Sequence, residues 1–274
     1  SNLAWSPEYS IELVDDTQIE LKARALLKND TRADFLNAKL DLLAGKPDMP
    51  VPEVQPRFIA MAADMQLESA ATVETAQGYY LFKLPDPVDL PANTQKRVPL
   101  LAPRTLDAEI SYRHSQSIHA GLRTELIKEH ARQWLAFTLP ESISDSPLPQ
   151  GTAQLYRRDA DGTIRFIGSQ MLRDSSPGQR VEFAFGDAFD LKIDQRQTDY
   201  QRAGQVYRQS YEVRLSNGGL TNRSLEYTLN FRQPWTMIDS SALVTKDGME
   251  ARWLVEIPAR SEIVISYTVD LSQS

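Results

Sequence analysis

The sequence of 274 residues predicts an all-β protein with little helix, built as two immunoglobulin-like antiparallel β-sandwich domains, the second one enlarged. Three observations lead there. Apolar and polar residues alternate with period two in many runs, as in strands that bury one face. The runs are short and separated by turn residues at about 8–12-residue spacing, the rhythm of sandwiches and barrels. The two halves of the chain also share an internal repeat.

The alternation is clearest where Ile19, Leu21, Ala23, Ala25 and Leu27 fall on one face and Gln18, Glu20, Lys22 and Arg24 on the other. Leu225, Tyr227, Leu229 and Phe231 alternate in the same way with Glu226, Thr228 and Asn230. Ile263, Ile265, Tyr267 and Val269 form a third set, and Phe189, Leu191 and Ile193 a fourth. Further strand-like runs lie near 7–13, 38–44, 79–84, 95–101, 106–112, 132–139, 152–157, 163–168, 180–185, 206–215 and 251–257. Asp161-Gly162 and Asn217-Gly218 supply tight-turn chemistry, because Gly and Asn accept positive φ at little cost. Helix has two candidates. Leu122, Leu126, His130 and Trp134 recur every fourth residue, but the strand reading of 132–139 is favoured, which leaves 118–130 open between helix and strand. The Met- and Ala-rich segment 57–71 is read as one short helix inside an insertion.

The repeat sets the domain division. In each half a strand ends on an asparagine (Asn29, Asn217), a turn and a second strand follow, and a Pro-Ala corner (Pro91-Ala92, Pro258-Ala259) opens a final strand. The interval from asparagine to proline is longer in the first half, and an insertion at 46–77 covers the difference. The expected domains are 1–113, carrying that insertion, and 114–274, widened by strands at 132–200.

Composition narrows the function. The formal net charge of −7 gives no electrostatic footprint for nucleic acid. No apolar run is long enough for a membrane span. The first residues lack the charged-then-apolar pattern of a signal peptide, and Ser1-Asn2 reads as the remnant of a cleaved tag. The absence of cysteine excludes thiol catalysis, zinc–thiolate sites and disulfides.

The candidate chemistry is sparse. His114, His119 and His130 are the histidines, and no Gly-x-Ser-x-Gly elbow accompanies them. Glu125, Glu129 and His130 would offer a metal set only on a helix, without a His-Glu-x-x-His spacing. Asp159-Ala160-Asp161-Gly162 opens like a calcium loop but lacks the closing glutamate, and is read as a hairpin turn. No catalytic, cofactor or metal residue is therefore assigned, and no cofactor is expected. Trp5, Tyr9, Tyr79, Tyr80, Trp134, Trp235 and Trp253 are the aromatic candidates for a sugar platform; Trp253 is in phase with Val255 and Ile257 and reads as core. Trp235, after Pro234 at a strand end, is the most plausible exposed ring. In the insertion, Phe58, Ile59, Met61 and Met65 are adaptable apolar groups of the kind used at protein contacts.

Several stretches resemble a bacterial family catalogued as "domain of unknown function 4139". They are Leu3-Ala4-Trp5-Ser6-Pro7-Glu8-Tyr9, the run from Asn37 to Gly45, Gly78-Tyr79-Tyr80-Leu81-Phe82-Lys83-Leu84-Pro85 and Leu90-Pro91-Ala92 in the first half. In the second they are Pro147-Leu148-Pro149-Gln150-Gly151, Phe166-Ile167-Gly168, Phe185 to Asp190 and Tyr267-Thr268-Val269. The resemblance spans nearly the whole chain and implies an exported protein of the periplasm or cell envelope; the family brings no established catalytic residues. The expected function is a non-catalytic extracytoplasmic module that acts structurally or by contact with a protein partner. The alternative is a module that binds carbohydrate or another envelope ligand through exposed rings, and a hydrolase is the least favoured reading.

Overall fold

The computed structural model describes residues 3–45, 70–76, 79–142, 147–159 and 161–272. Among these residues every regular element is a strand, and no helix is long and apolar enough to cross a membrane. The chain forms two compact units. Unit 1 comprises Ser1–Glu109 and Ala136–Phe183, and unit 2 comprises Ile110–Leu135 and Ala184–Ser274. Neither is the contiguous segment 1–113 or 114–274 that the repeat suggests. Residues 136–183, expected to widen the second domain, belong to unit 1. The physical reason is strand length. Runs that read as separate strands are continuous, and β8 (Thr94–Ile118), β9 (Ile127–Thr138) and β12 (Arg180–Ala203) each contribute residues to both units.

In unit 1, β1 (Leu3–Leu13) pairs antiparallel with β2 (Gln18–Asn29) and parallel with β10 (Gly151–Arg158). β2 continues to β8, and β10 to β11 (Ile164–Leu172). Ile19, Leu21, Ala23, Ala25 and Leu27 are all buried, as their spacing predicts. Between Leu21 and Ala23 the register with β8 shifts, so Ala102 and Pro103 lie outside the regular pairing. That irregularity accommodates a proline in a long strand. β10 approaches β1 closely at Gly151, where a Cβ would lie 2.4 Å from the Pro7 carbonyl oxygen. Only glycine fits there. Two small sheets complete the unit: β3 (Phe35–Ala38) with β7 (Val88–Leu90), and β6 (Tyr79–Lys83) between β4 (Asp41–Ala44) and β5 (Thr72–Ala76). The strand β5 lies within the expected insertion, whereas most of the helix proposed for 57–71 lies outside the described residues.

In unit 2, β12 pairs with β13 (Val206–Asn217), β13 with β18 (Ser261–Ser272), and β18 with β15 (Trp235–Ser240), all antiparallel. A second set runs from β8, parallel to β14 (Arg223–Phe231), through β17 (Glu250–Ile257) to β16 (Thr245–Asp247). The sets meet through large buried side chains. Trp253 of β17 lies 5.3 Å from Tyr267 of β18, and within the first set Tyr211 of β13 stacks on Tyr267 at 5.1 Å. The fourfold recurrence at 122–134 does not form a helix. Leu122 is 66% exposed, residues 119–126 are irregular, and β9 begins at Ile127 with Ala131 and Leu135 buried.

The internal repeat is reproduced atom by atom. The Asn29 side-chain amide donates to the carbonyls of Ala33, Leu90 and Pro91 at 2.9–3.0 Å. The Asn217 amide donates to those of Thr221, Ile257 and Pro258 at 2.9–3.2 Å. Each proline carbonyl also accepts from the hydroxyl that opens the last strand, Thr94 or Ser261. The Ala92 and Ala259 amides donate to Asp34 and Asn222, each five residues past its asparagine. Asn93 and Arg260, each two residues past the proline, both adopt left-handed backbone, with φ of 56° and 54°. Each asparagine stands directly opposite its hydroxyl residue in the closing ladder.

Asn217 is buried, and replacing it by Ala removes the amide that donates to the carbonyls of Thr221, Ile257 and Pro258, leaving Pro258 the Ser261 hydroxyl. Asn217→Ala is expected to lose about 3 kcal/mol in urea denaturation; a change below ~0.5 kcal/mol would show that this amide is dispensable. Arg260 carries the opposite expectation, because arginine tolerates left-handed backbone poorly. Arg260→Gly is expected to gain about 1 kcal/mol in the same measurement.

Candidate functional site

Unit 2 carries a groove of about 600 Å³, and strand phase explains its lining. Leu225, Tyr227 and Leu229 of β14 point into the core, so Glu226, Thr228 and Asn230 point outward. The ladders align Glu226 with Arg113, Thr228 with both Ser115 and Arg252, and Asn230 with Glu250. β9 adds Glu129, His130, Arg132 and Trp134, and β12 adds Asp187.

Three arginines and four carboxylates line the groove, so their charges nearly cancel. Arg252 lies 2.9 Å from Glu250, and Arg132 lies 3.8 Å from Asp187. These pairs are exposed and contribute little to stability. The Asn230 amide donates to the Ser115 hydroxyl at 2.6 Å. Two aromatic features mark the groove. The Arg113 guanidinium sits 4.9 Å over the Trp134 ring, a cation–π contact. His130 stacks on Phe189, whose ring is 79% exposed.

His114 is the most deeply buried member of the site, at 6% exposure against 8% for Thr228. Its ring lies parallel to Tyr227 at 5.5 Å, and its Nε2 is 3.4 Å from Oε2 of Glu129 without a hydrogen-bond partner. Burial pushes the imidazole pKa below its ordinary value; the Glu129 carboxylate and a bond to the His130 backbone oppose that shift. Behind this face lies a buried amide–phenol network. The Tyr227 hydroxyl donates to Gln195 at 2.6 Å, and the Gln195 amide donates to the Tyr267 hydroxyl at 3.0 Å. The Tyr211 hydroxyl donates to Gln209 at 2.6 Å, while Gln197 and Gln209 donate to the carbonyls of Gly121 and His119. These side chains hold the irregular segment after β8. Desolvation raises the pKa values of Tyr211, Tyr227 and Tyr267, keeping the phenols protonated.

The structure brings together some sequence candidates and separates others. Trp134, His114, His130 and Glu129 share the groove, whereas Glu125 lies in the segment before β9 and the His119 side chain is exposed. Among the described residues no cluster of three His, Asp or Glu side chains is placed to hold a metal ion. Asp159 and Asp161 belong to the β10–β11 hairpin: Asp161 accepts from the Thr163 amide at 2.9 Å, and Asp159 pairs with Arg165. Trp253 is core, as its phase predicts. Trp235 is half-buried, its ring lies 4.3 Å from Phe231, and its Nε1 donates to the Gly248 carbonyl, so edge packing accounts for it. Phe58, Ile59, Met61 and Met65 lie outside the described residues. Phe189 departs from its expected inward phase: Ala188 and Leu191 are buried instead, which breaks the alternation and leaves the ring exposed.

A second concavity, of about 470 Å³ in unit 1, is crossed by ion pairs such as Arg97–Glu8 at 2.6 Å and Arg158–Glu12. No protein-family model matches the chain, and no curated protein matches its sequence.

The lowered His114 pKa fixes the sign of one pH effect. The unfolded chain binds a proton at His114 more readily than the folded one, so stability from the neutral ring is present above the ordinary imidazole value of about 6.5. It is lost as pH falls through the lower folded value. Between pH 7 and about 5, the His114→Phe variant is expected to show a flatter stability profile than wild type in urea titrations. Parallel profiles would show that His114 does not titrate with folding.

Proposed function

We propose that this is a non-catalytic, extracytoplasmic protein of two immunoglobulin-like β-sandwich domains that works by binding, and that its groove holds a neutral, hydroxyl-rich ligand of the carbohydrate class. The supporting observation is the groove's make-up: the Trp134 indole, the His130 imidazole and charges that nearly cancel. A groove with one dominant charge would select an ion. Near-cancellation leaves ring faces and paired donors and acceptors to discriminate, and sugars present both hydroxyls and apolar C–H faces. The binding reading also draws support from the state of the polar groups. Ser115 is engaged by Asn230, and His114 faces a carboxylate rather than a nucleophilic hydroxyl. The envelope location rests on the residues that resemble the exported family.

A protein partner is the second reading. It is favoured by Ile164, Phe166 and Met171, exposed apolar residues on β11, the terminal strand of its sheet.

A microarray of neutral and acidic glycans, probed with wild type and Trp134→Ala, tests the first reading. Wild type is expected to bind neutral glycans and the variant to lose at least about tenfold in affinity. An array without wild-type signal would sink it. Cross-links from cell envelope proteins concentrated on β11 would favour the second.

A further inference from the structure

Asn217-Gly218 is the only Asn-Gly pair in the sequence. Neither residue has left-handed backbone, and beyond its chain neighbours a Cβ on Gly218 would meet nothing nearer than the Asp190 carbonyl oxygen, at 3.8 Å. Conformation and space therefore do not require glycine there, unlike at Gly151. Glycine has a chemical consequence instead. With no side chain to shield it, its backbone nitrogen can attack the amide of the preceding asparagine. The nitrogen forms a bond to Cγ while the Cγ–Nδ2 bond breaks and ammonia leaves. Water then opens the resulting cyclic imide at Cγ, giving aspartate, or at the backbone carbonyl carbon, giving isoaspartate. The fold engages each group this reaction needs. The Asn217 side chain is buried and its amide donates to three carbonyls. The Gly218 N–H donates to the Asp190 carbonyl at 2.8 Å, and the ladders pair Asn217 with Leu191 and Ser261. The Gly219 N–H donates to Oδ1 at 2.9 Å and polarises the amide toward attack. Ring closure nevertheless requires the amide to rotate out of its three bonds and Gly218 to leave Asp190.

We propose that Asn217-Gly218 is a modification site triggered by unfolding: inert in folded unit 2, it deamidates when β13 leaves its neighbours, and the product keeps the corner from re-forming. A carboxylate at 217 has no hydrogen to give the carbonyls of Thr221, Ile257 and Pro258, and it brings a charge into a buried corner. Isoaspartate also lengthens the main chain by a methylene, displacing the end of β13 against β18. The matching corner of unit 1 carries Asn29-Asp30, where the aspartate side chain hinders attack, so the device belongs to the unit that carries the groove. A chain that stays open long enough to react is removed from the folded pool.

The test incubates the full chain at about pH 8, folded in buffer or unfolded in guanidinium chloride. Mass spectrometry of the tryptic peptide Leu215–Arg223, with fragmentation to separate Asn217 from Asn222, follows the reaction. Deamidation at Asn217 is expected to be at least about a hundredfold slower in the folded chain, because it must wait for opening. Wild type held unfolded until Asn217 has reacted is expected to refold, after dilution, only to the extent of its unreacted fraction. Gly218→Ala, whose added methyl the fold accommodates and which slows the attack, is expected to refold after the same delay. A melting curve of the fresh variant shows whether it folds, and the comparison of wild-type rates does not depend on it. Folded and unfolded rates within about tenfold of each other overturn the proposal. So does reacted wild type that refolds to unchanged stability, or a Gly218→Ala chain that folds when fresh yet is lost as fast as wild type.

Discussion

One side-chain amide closes each unit. Where β2 ends at Asn29 and β13 at Asn217, the chain turns away beside backbone carbonyls at the ends of two other segments. A buried carbonyl without a donor is costly. The asparagine amide meets these groups from inside, reaching Leu90 and Pro91 in one unit and Ile257 and Pro258 in the other. Proline can stand at the corner because it lies before the final ladder begins. The register of that ladder is then set: Asn29 opposes Thr94, and Asn217 opposes Ser261. In unit 2 the same ladder carries Tyr211 and Tyr267 into the core, so the network behind the groove depends on it.

Much of this architecture is legible in the sequence. Period-two alternation locates the buried faces of β2, β14 and β18, and the spacing of the asparagines and Pro-Ala pairs identifies their common corner. What alternation does not reveal is where one strand stops. Near Ala102-Pro103 a pattern break reads as the end of a strand, whereas a register shift carries β8 onward. The same difficulty hides the continuity of β12, and with it the assignment of 136–183 to unit 1. Around Phe189 two consecutive residues face outward, and a period-two reading places the ring in the core. The groove was legible only in fragments. Trp134 and the histidines stand out by residue type, but their association with Thr228 and Arg252 comes from a parallel pairing between strands more than a hundred residues apart.

The polar groups inside unit 2 differ in how fully they are satisfied. Gln195, Gln209 and the phenols bond to one another or to backbone carbonyls and behave as parts of the core. Their hydrogen-bonding geometry restricts how the strands can pack, because a shifted partner would leave an amide or phenol unpaired. His114 shares their burial but not their satisfaction, and it lies where the core meets the groove. Its ring is held by Tyr227 on one side and faced by Glu129 on the other.

The interleaving of the units bears on the order in which the protein is made. A nascent chain delivers 3–109 of unit 1, then the first stretch of unit 2, then returns to unit 1 at residue 136. Unit 1 has all its strands only once residue 183 has emerged. The stretch 110–135, exposed to the ribosomal surroundings early, waits for β13, β14, β17 and β18, which follow it by about 70 to 160 residues. Folding cannot proceed as two successive, independent events along the growing chain, and the first-made strands of unit 2 spend the longest time without their neighbours.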